Sequence, residues 1–169
     1  MTQIEVAAAA SDMTGLVARI HDGVVISASF SKVVRAQKDK HGVYDALAAY
    51  FAGDVDALDA ITVHSEGTPF QESVWKALRT IPAGETATYG EIAAQIGDPG
   101  AARAVGMANA SNPIPLIVPC HRVVRTGGAL GGFGGGVELK RALLDFERSS
   151  RAAFERRSQP DLFAAHAAT

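Results

Sequence analysis

Cysteine occurs once in the chain, inside the run Pro119-Cys120-His121-Arg122-Val123-Val124. A thiol attacks as its thiolate, and cationic neighbours favour that form. With His121 and Arg122 beside it, Cys120 is a candidate nucleophile. The competing reading is a small buried hydrophobe, the commonest fate of a free cysteine. Adjacency does not make His121 its base, because neighbouring side chains on a strand point to opposite faces. The two communicate only if the backbone turns there, or through a water. An imidazole in that role needs a third group to orient it, and a carboxylate does this best. Glu147, on the last clear helix, is the choice; Asp145 and Glu138 are the alternatives. A solvated helix face is the ordinary role of all three.

Two further segments have unusual chemistry. Between Gly100 and Ala110 a helix is built largely from alanine and glycine, with Arg103 as its one charged side chain. So little bulk permits close helix packing anywhere, or close approach to a nucleic-acid groove with one long cation at the surface. Gly127 to Gly136 is glycine-rich, interrupted by Ala129, Leu130 and Phe133. No Gly-Lys-Ser/Thr follows, so phosphate cradling is unsupported. Glycines let a backbone come close to a flat ligand, and Phe133 is placed either to stack on one or to plug a gap.

The elements that must position these residues are well punctuated in the second half. Thr68-Pro69-Phe70-Gln71 is a capping box with proline at the first helical position. It opens a helix with Phe70, Val74, Leu78 and Ile81 on one stripe, ended by Pro82-Ala83-Gly84. Thr88-Tyr89-Gly90-Glu91 is a second capping box, for a helix through Ile92 and Ile96 to Gly97. Gly97-Asp98-Pro99 turns into the alanine-rich helix, a pairing compatible with helix-turn-helix, and Asn112-Pro113 must stop it. Ile114 to Val118 reads as a strand leading to Cys120. Val137 to Glu147 is helical, and beyond Arg148 the pattern predicts fraying or a tail. In the first half, Leu16 to Ile20 and Val24 to Phe30 flank Asp22-Gly23 as a β-hairpin. Ser31 to His41 reads as loop. Tyr44, Leu47, Ala48 and Phe51 mark a helix stopped by Gly53, and Asp59 to His64 a short strand. Residues 1–12, rich in alanine, carry no signal.

The chain has 169 residues, a net charge of -2 and 47% hydrophobic content. This is ordinary globular composition without the basic excess that advertises nucleic-acid binding, so any such contact must be local. One cysteine excludes an intrachain disulfide and a multi-thiolate zinc site. The N-terminal stretch is not read as a signal peptide, no apolar run approaches membrane-spanning length, and a reducing cytoplasm is the expected location.

Taken together and in order, these segments resemble the O6-alkylguanine-DNA alkyltransferases. Pro119 to Val124 is similar to the family's active-site motif. Pro99-Gly100-Ala101-Ala102-Arg103-Ala104-Val105-Gly106 followed by Asn112-Pro113 resembles its recognition helix and asparagine hinge. Phe70-Gln71 to Trp75, Gly84 to Ile92 with Tyr89, Gly131 to Gly136, and Lys140-Arg141 to Glu147 resemble the flanking segments. The likeness is close over residues 68–148, and the first sixty residues match only in outline.

The resemblance implies an α/β N-terminal lobe (1–64), a mostly helical, winged-helix-like domain with a helix-turn-helix (65–150), and a tail (151–169). It implies that the protein binds double-stranded DNA as a monomer. The alanine-rich helix, with Ala102 and Gly106, would enter the minor groove, and Arg103 would fill the gap left by a flipped nucleotide. Tyr89 would help rotate that nucleotide and hydrogen-bond N3 of the departing guanine. The backbone at Cys120 and Val123 would accept from the exocyclic amine, and the Gly134 N–H would reach O6. Arg122 and Phe133 are further candidates for substrate or DNA contact. Glu147 and His121 would draw the proton from Cys120 through a water, and Asn112 would hold the turn before it. The alkyl group of O6-alkylguanine, with O4-alkylthymine a further candidate, would then stay on Cys120, with no cofactor or metal and a single turnover.

Where the family often has tyrosine and serine this chain has Phe133 and Gly134, which removes two hydroxyls and widens the pocket. The N-terminal pattern survives only as Met13-Thr14-Gly15-Leu16. Two other functions compete: a helix-turn-helix module that senses lesions without chemistry, and a Cys-His hydrolase unrelated to DNA. Stoichiometric alkyl uptake on Cys120 separates the first reading from both.

Overall fold

The computed structural model describes residues 4–159. The chain opens with a three-stranded antiparallel sheet in the order β1 (Ile4–Ala10), β2 (Gly15–His21), β3 (Val24–Ser31). The β2–β3 hairpin forms as expected. Asp22 and Gly23 both take positive φ, 49° and 81°, the geometry of a two-residue turn whose twist matches the strands it joins. β1 is the element the alanine-rich start concealed. Alanine has weak strand preference, yet Ala7, Ala8 and Ala9 are buried because β1 pairs along its whole length with β2 and lies under a helix, α1 (Val43–Phe51). Small side chains suit that close layer.

Helix α1 forms where predicted, but its inward stripe is Val43, Leu47 and Tyr50, one position earlier than the expected Tyr44-centred stripe. The expected strand over 59–64 is replaced by a 3₁₀ turn, Ala57–Ala60. Only a single parallel bridge, Val25 with Val63, remains of it.

Helix α2 (Pro69–Leu78) begins with both halves of its Thr68/Gln71 capping box in place and ends at Leu78, before Ile81. The Thr88/Glu91 box likewise starts α3 (Tyr89–Gln95), and α4 (Ala102–Ala110) follows after the turn at Gly97. Helix α4 packs against α2 and α3, and the Trp75 indole N–H donates to the Ala108 carbonyl at 2.8 Å. Short strands β4 (Ala87–Thr88) and β5 (Val123–Val124) pair in parallel. Helix α5 runs unbroken from Val137 to Ser158, through Arg148 and the expected tail boundary at 151. On its far half Arg151 pairs with Asp56 and donates to the Ala83 carbonyl. The rest of the expected tail, 160–169, lies outside the described residues.

Ile114 to Val118 is not a strand. Leu116 has φ of 70°, and the segment is a compact turn held by Asn112. Its side chain donates to the Val118 carbonyl at 2.8 Å and accepts from the Ile114 N–H at 3.0 Å. Both ends of the turn are thus fixed by one amide, which explains why an apolar pentapeptide closes on itself, with a lone bridge between Pro115 and Val118, instead of forming a strand. A single hydrophobic cluster runs from Ala7 and Leu16 through Leu47, Leu78 and Ile114 to Leu143, so the N-terminal sheet and the helices share one core.

Candidate active site

The turn braced by Asn112 delivers the chain into a second one, a 3₁₀ turn of Cys120, His121 and Arg122. This is the backbone turn that a Cys-His partnership needs and that a strand would have denied. All three side chains are buried, His121 completely. Its Nε2 lies 2.7 Å from Glu147 Oε1 on α5, which selects Glu147 over Asp145 and Glu138, whose side chains lie on exposed turns of the helix. The other ring nitrogen, Nδ1, has no hydrogen-bond partner among the described residues. That nitrogen is left to take a proton while Nε2 is committed to the carboxylate.

Glu147 is the hub. Arg122 donates to it twice, Nε to Oε2 and Nη2 to Oε1, both at 2.9 Å. The Gly84 N–H donates to Oε2 at 3.2 Å, and the Tyr50 hydroxyl of α1 donates to Oε1 at 2.8 Å. Burial alone would raise the Glu147 carboxyl, but His121 and Arg122 beside it hold it well below the usual carboxylate range. Burial lowers His121, against the pull of Glu147, so the resting imidazole is neutral. The same carboxylate and desolvation raise the Tyr50 phenol far above its ordinary value, which keeps it a donor.

Two sequence expectations change here. Arg122, expected at the DNA or substrate surface, is buried, and its remaining nitrogen donates to the Ile81 carbonyl at 2.7 Å. A guanidinium under the core can only pair with the carboxylate it finds there. The Val123 side chain is also fully buried, and its carbonyl, the acceptor expected for substrate, takes one hydrogen bond from Lys140 Nζ at 2.6 Å, which leaves a second lone pair. The electropositive setting expected of Cys120 is altered in the same way. Burial pushes its thiol up, with Asn112 and the Lys140 charge opposing incompletely, so the resting group is a thiol.

On its open side Cys120 faces a cavity of about 820 Å³, lined also by Tyr89, Gly106, Asn112, Phe133 and Gly134. The structure thus brings most of the expected site residues to one place. A shallower groove next to it holds Ala102 and Arg103 of α4, with Tyr89 and Gly106 at the boundary. Arg103 is exposed there, and Arg125, which the sequence did not single out, lines the same groove. Gly131 lines this groove against Tyr89, whose hydroxyl a Cβ there would run into. Asn109, also missed, donates to the Cys120 carbonyl at 3.3 Å, the second backbone acceptor expected for substrate. Tyr50 and Lys140 carried no signal of their own: a helix tyrosine and a helix lysine ordinarily serve packing and solvation.

Residues 69–149 match the family model described as 6-O-methylguanine DNA methyltransferase, DNA binding domain. A methylated-DNA–protein-cysteine methyltransferase of Mycobacterium tuberculosis is 59% identical over 112 residues, 66% of this chain and 67% of that protein. The fold is also that of solved structures. The crystal structure of the Mycobacterium tuberculosis O6-methylguanine methyltransferase superposes with a TM-score of 0.71 at 39% identity, covering 96% of this chain and 99% of that one. The chain belongs to the O6-methylguanine-DNA methyltransferase family. A second structure, Mycobacterium tuberculosis OGT in complex with DNA, matches with a TM-score of 0.72 at 44% identity over 86% of this chain and 93% of that one. Within this family the match reaches the sheet of the N-terminal lobe, which sequence likeness left in outline. No helix among the described residues is long and apolar enough to cross a membrane.

Proposed function

We propose that the protein repairs alkylated DNA directly, moving the alkyl group from O6 of guanine onto Cys120 Sγ in a single turnover. The observation that carries this is the placement of Cys120 between a ligand-sized cavity and the buried His121–Glu147 pair, in a chain of this family. The thiol proton passes, through a water, toward His121 Nδ1, and Glu147 at Nε2 stabilises the imidazolium that forms. Sulfur attacks the alkyl carbon as the carbon–O6 bond breaks. A thioether remains on Cys120 and guanine leaves as its anion, which Tyr89 stabilises by a hydrogen bond to N3. The buried thioether has no hydrolytic route back, so each molecule acts once. Gly134, whose N–H would donate to O6, and Phe133 line the cavity proposed to take the base. O4-alkylthymine is a second candidate substrate on the same chemistry.

The partner is duplex DNA. Helices α3 and α4 serve as a helix-turn-helix in a winged-helix-like domain that runs from residue 65 through α5, carried by the 1–64 lobe. The small side chains of α4 around Ala102 and Gly106 let it enter the minor groove, and Arg103 takes the place of the flipped nucleotide. Extrusion costs a few kcal/mol, least for a damaged pair. The protein acts as a monomer, in the cytoplasm, with Asn112 keeping the turn before Cys120 in register.

Intact-protein mass spectrometry after incubation with a duplex containing one O6-methylguanine tests this. A single gain of about 14 Da mapped to Cys120 is expected from covalent capture by one nucleophile. An unchanged mass with the thiol reduced and lesion binding intact would replace the reaction with a non-catalytic sensor.

A further inference from the structure

No residue pattern in the N-terminal lobe points to a chemical role, yet that lobe supplies part of the Cys120 cavity lining. Met13, Ala28, Phe30 and Lys32 line it together with Tyr89 and Gly106. Phe30, on β3, meets Phe133 with ring centroids 5.7 Å apart and planes tilted by 59°, a favourable aromatic pairing geometry. Phe133 is the one side chain larger than hydrogen in the run from Gly131 to Gly136. A phenylalanine flanked by glycines is not fixed by its own backbone. Its position comes from what it leans on, namely Phe30. Gly135 shows how tight that contact is: a Cβ there would come within 2.7 Å of Leu139, 3.0 Å of Phe133 and 3.3 Å of Phe30.

We propose that Phe30 of the N-terminal lobe is a specificity-determining residue, which positions Phe133 and sets the size of O6 substituent that the Cys120 cavity admits. The proposal rests on the alkyl-transfer reading above. The cavity volume, about 820 Å³, lies toward the upper end of the range for small-molecule pockets, and a methyl group on guanine leaves room in it. Its Met13, Phe30, Phe133 and Leu139 side is apolar, so the added substituents it suits are aryl or branched alkyl groups. The hydrogen bonds that hold the His121–Glu147 pair run to Tyr50, Gly84 and Arg122 and not to Phe30, so changing it alters the shape of the cavity and not the proton path.

The test compares Cys120 alkylation rates on two duplexes, one with O6-methylguanine and one with O6-benzylguanine, for the wild type, Phe30→Ala, Phe30→Leu and Phe30→Trp. Trimming Phe30 raises the benzyl-to-methyl rate ratio and Phe30→Trp lowers it. Each shift should be roughly tenfold, the scale of discrimination that small changes in an apolar pocket produce. Phe30→Leu carries the trimming arm if Phe30→Ala fails to fold. A ratio unchanged in folded variants at both extremes, with wild-type transfer intact, overturns the role of Phe30 and leaves the reaction standing. Failure of the wild type to take up either group removes the reaction itself, and the specificity role with it.

Discussion

Tyr50 and Glu147 stand 97 residues apart in the chain and meet through a 2.8 Å hydrogen bond in the core. The tyrosine belongs to α1 of the N-terminal lobe and the carboxylate to α5, so the bond joins the lobe to the base system behind Cys120. It lands on Oε1, the oxygen that also holds His121 Nε2. Charge drawn from Oε1 by the phenol is charge unavailable to an imidazolium. Tyr50→Phe leaves His121 facing a less satisfied carboxylate and makes the imidazole more basic. The acid limb of the pH–rate profile for Cys120 alkylation then moves to higher pH. Stability falls by about 1–3 kcal/mol, the scale of a lost buried hydrogen bond to a charged group. A normal acid limb in a destabilised variant would reduce Tyr50 to a packing residue.

Arg122 separates a structural from a DNA-binding role. Both its bonds to Glu147 are buried, and its third contact is to the Ile81 carbonyl. Arg122→Ala removes one partner of a buried ion pair, which costs about 3–5 kcal/mol because the other charge is left uncompensated. The folded fraction binds an undamaged duplex as the wild type does. Chemical denaturation and fluorescence anisotropy measure the two effects. Lost duplex affinity at unchanged stability would return Arg122 to the DNA surface.

The helices were legible in the sequence because their signals are local. Two capping boxes and the Asn112-Pro113 stop each act within four residues, and each forms as read. Glu147 could be chosen among three carboxylates, but its selection is tertiary, since only that position on α5 faces the turn at His121. What stayed hidden depends on contacts far away in the chain. β1 is alanine-rich and becomes a strand only because β2 and α1 enclose it. The apolar run 114–118 has a strand's composition and a turn's structure because the Asn112 amide holds both ends. Arg122 looked like a surface cation because nothing in its neighbourhood announces a carboxylate 25 residues on. Phe30 looked like one more alternating strand residue, and its cavity is made only when the glycine loop folds over it.

The resting state of Cys120 can be read from its reactivity toward a small alkylating reagent. Burial raises its thiol, and the Asn112 hydrogen bond and Lys140 charge only partly offset this. Iodoacetamide therefore labels native Cys120 at least roughly tenfold more slowly at neutral pH than it labels a small free thiol, whose larger thiolate fraction and access both favour reaction. The rate climbs into the alkaline range. Lys140→Met slows labelling further, since it removes the nearby cation that favours thiolate. Fast labelling of the native protein at neutral pH would mean that the thiolate is preformed, and that His121 is needed only later in the reaction.

Acid should unfold the protein from the active site outward, and the sign follows from two shifts. His121 has an ordinary value of 6.5 and is lowered in the fold, chiefly by burial. Below that pH the unfolded chain takes up a proton that the folded chain refuses, so this contribution is full above 6.5 and is lost as pH falls through the folded value. Glu147 is also lowered, from 4.5, because His121, once protonated, and Arg122 outweigh its burial. Its contribution is full above 4.5 and is lost at still lower pH, as the carboxylate protonates in the fold. Denaturant midpoints measured from about pH 8 to about pH 2 should hold steady at first and then fall in these two stages. His121→Gln removes the first stage and keeps the second. A midpoint that holds or rises as pH drops through the 6.5–4.5 interval would show that Glu147 keeps His121 protonated in the fold. The resting site would then hold an imidazolium unable to accept the Cys120 proton.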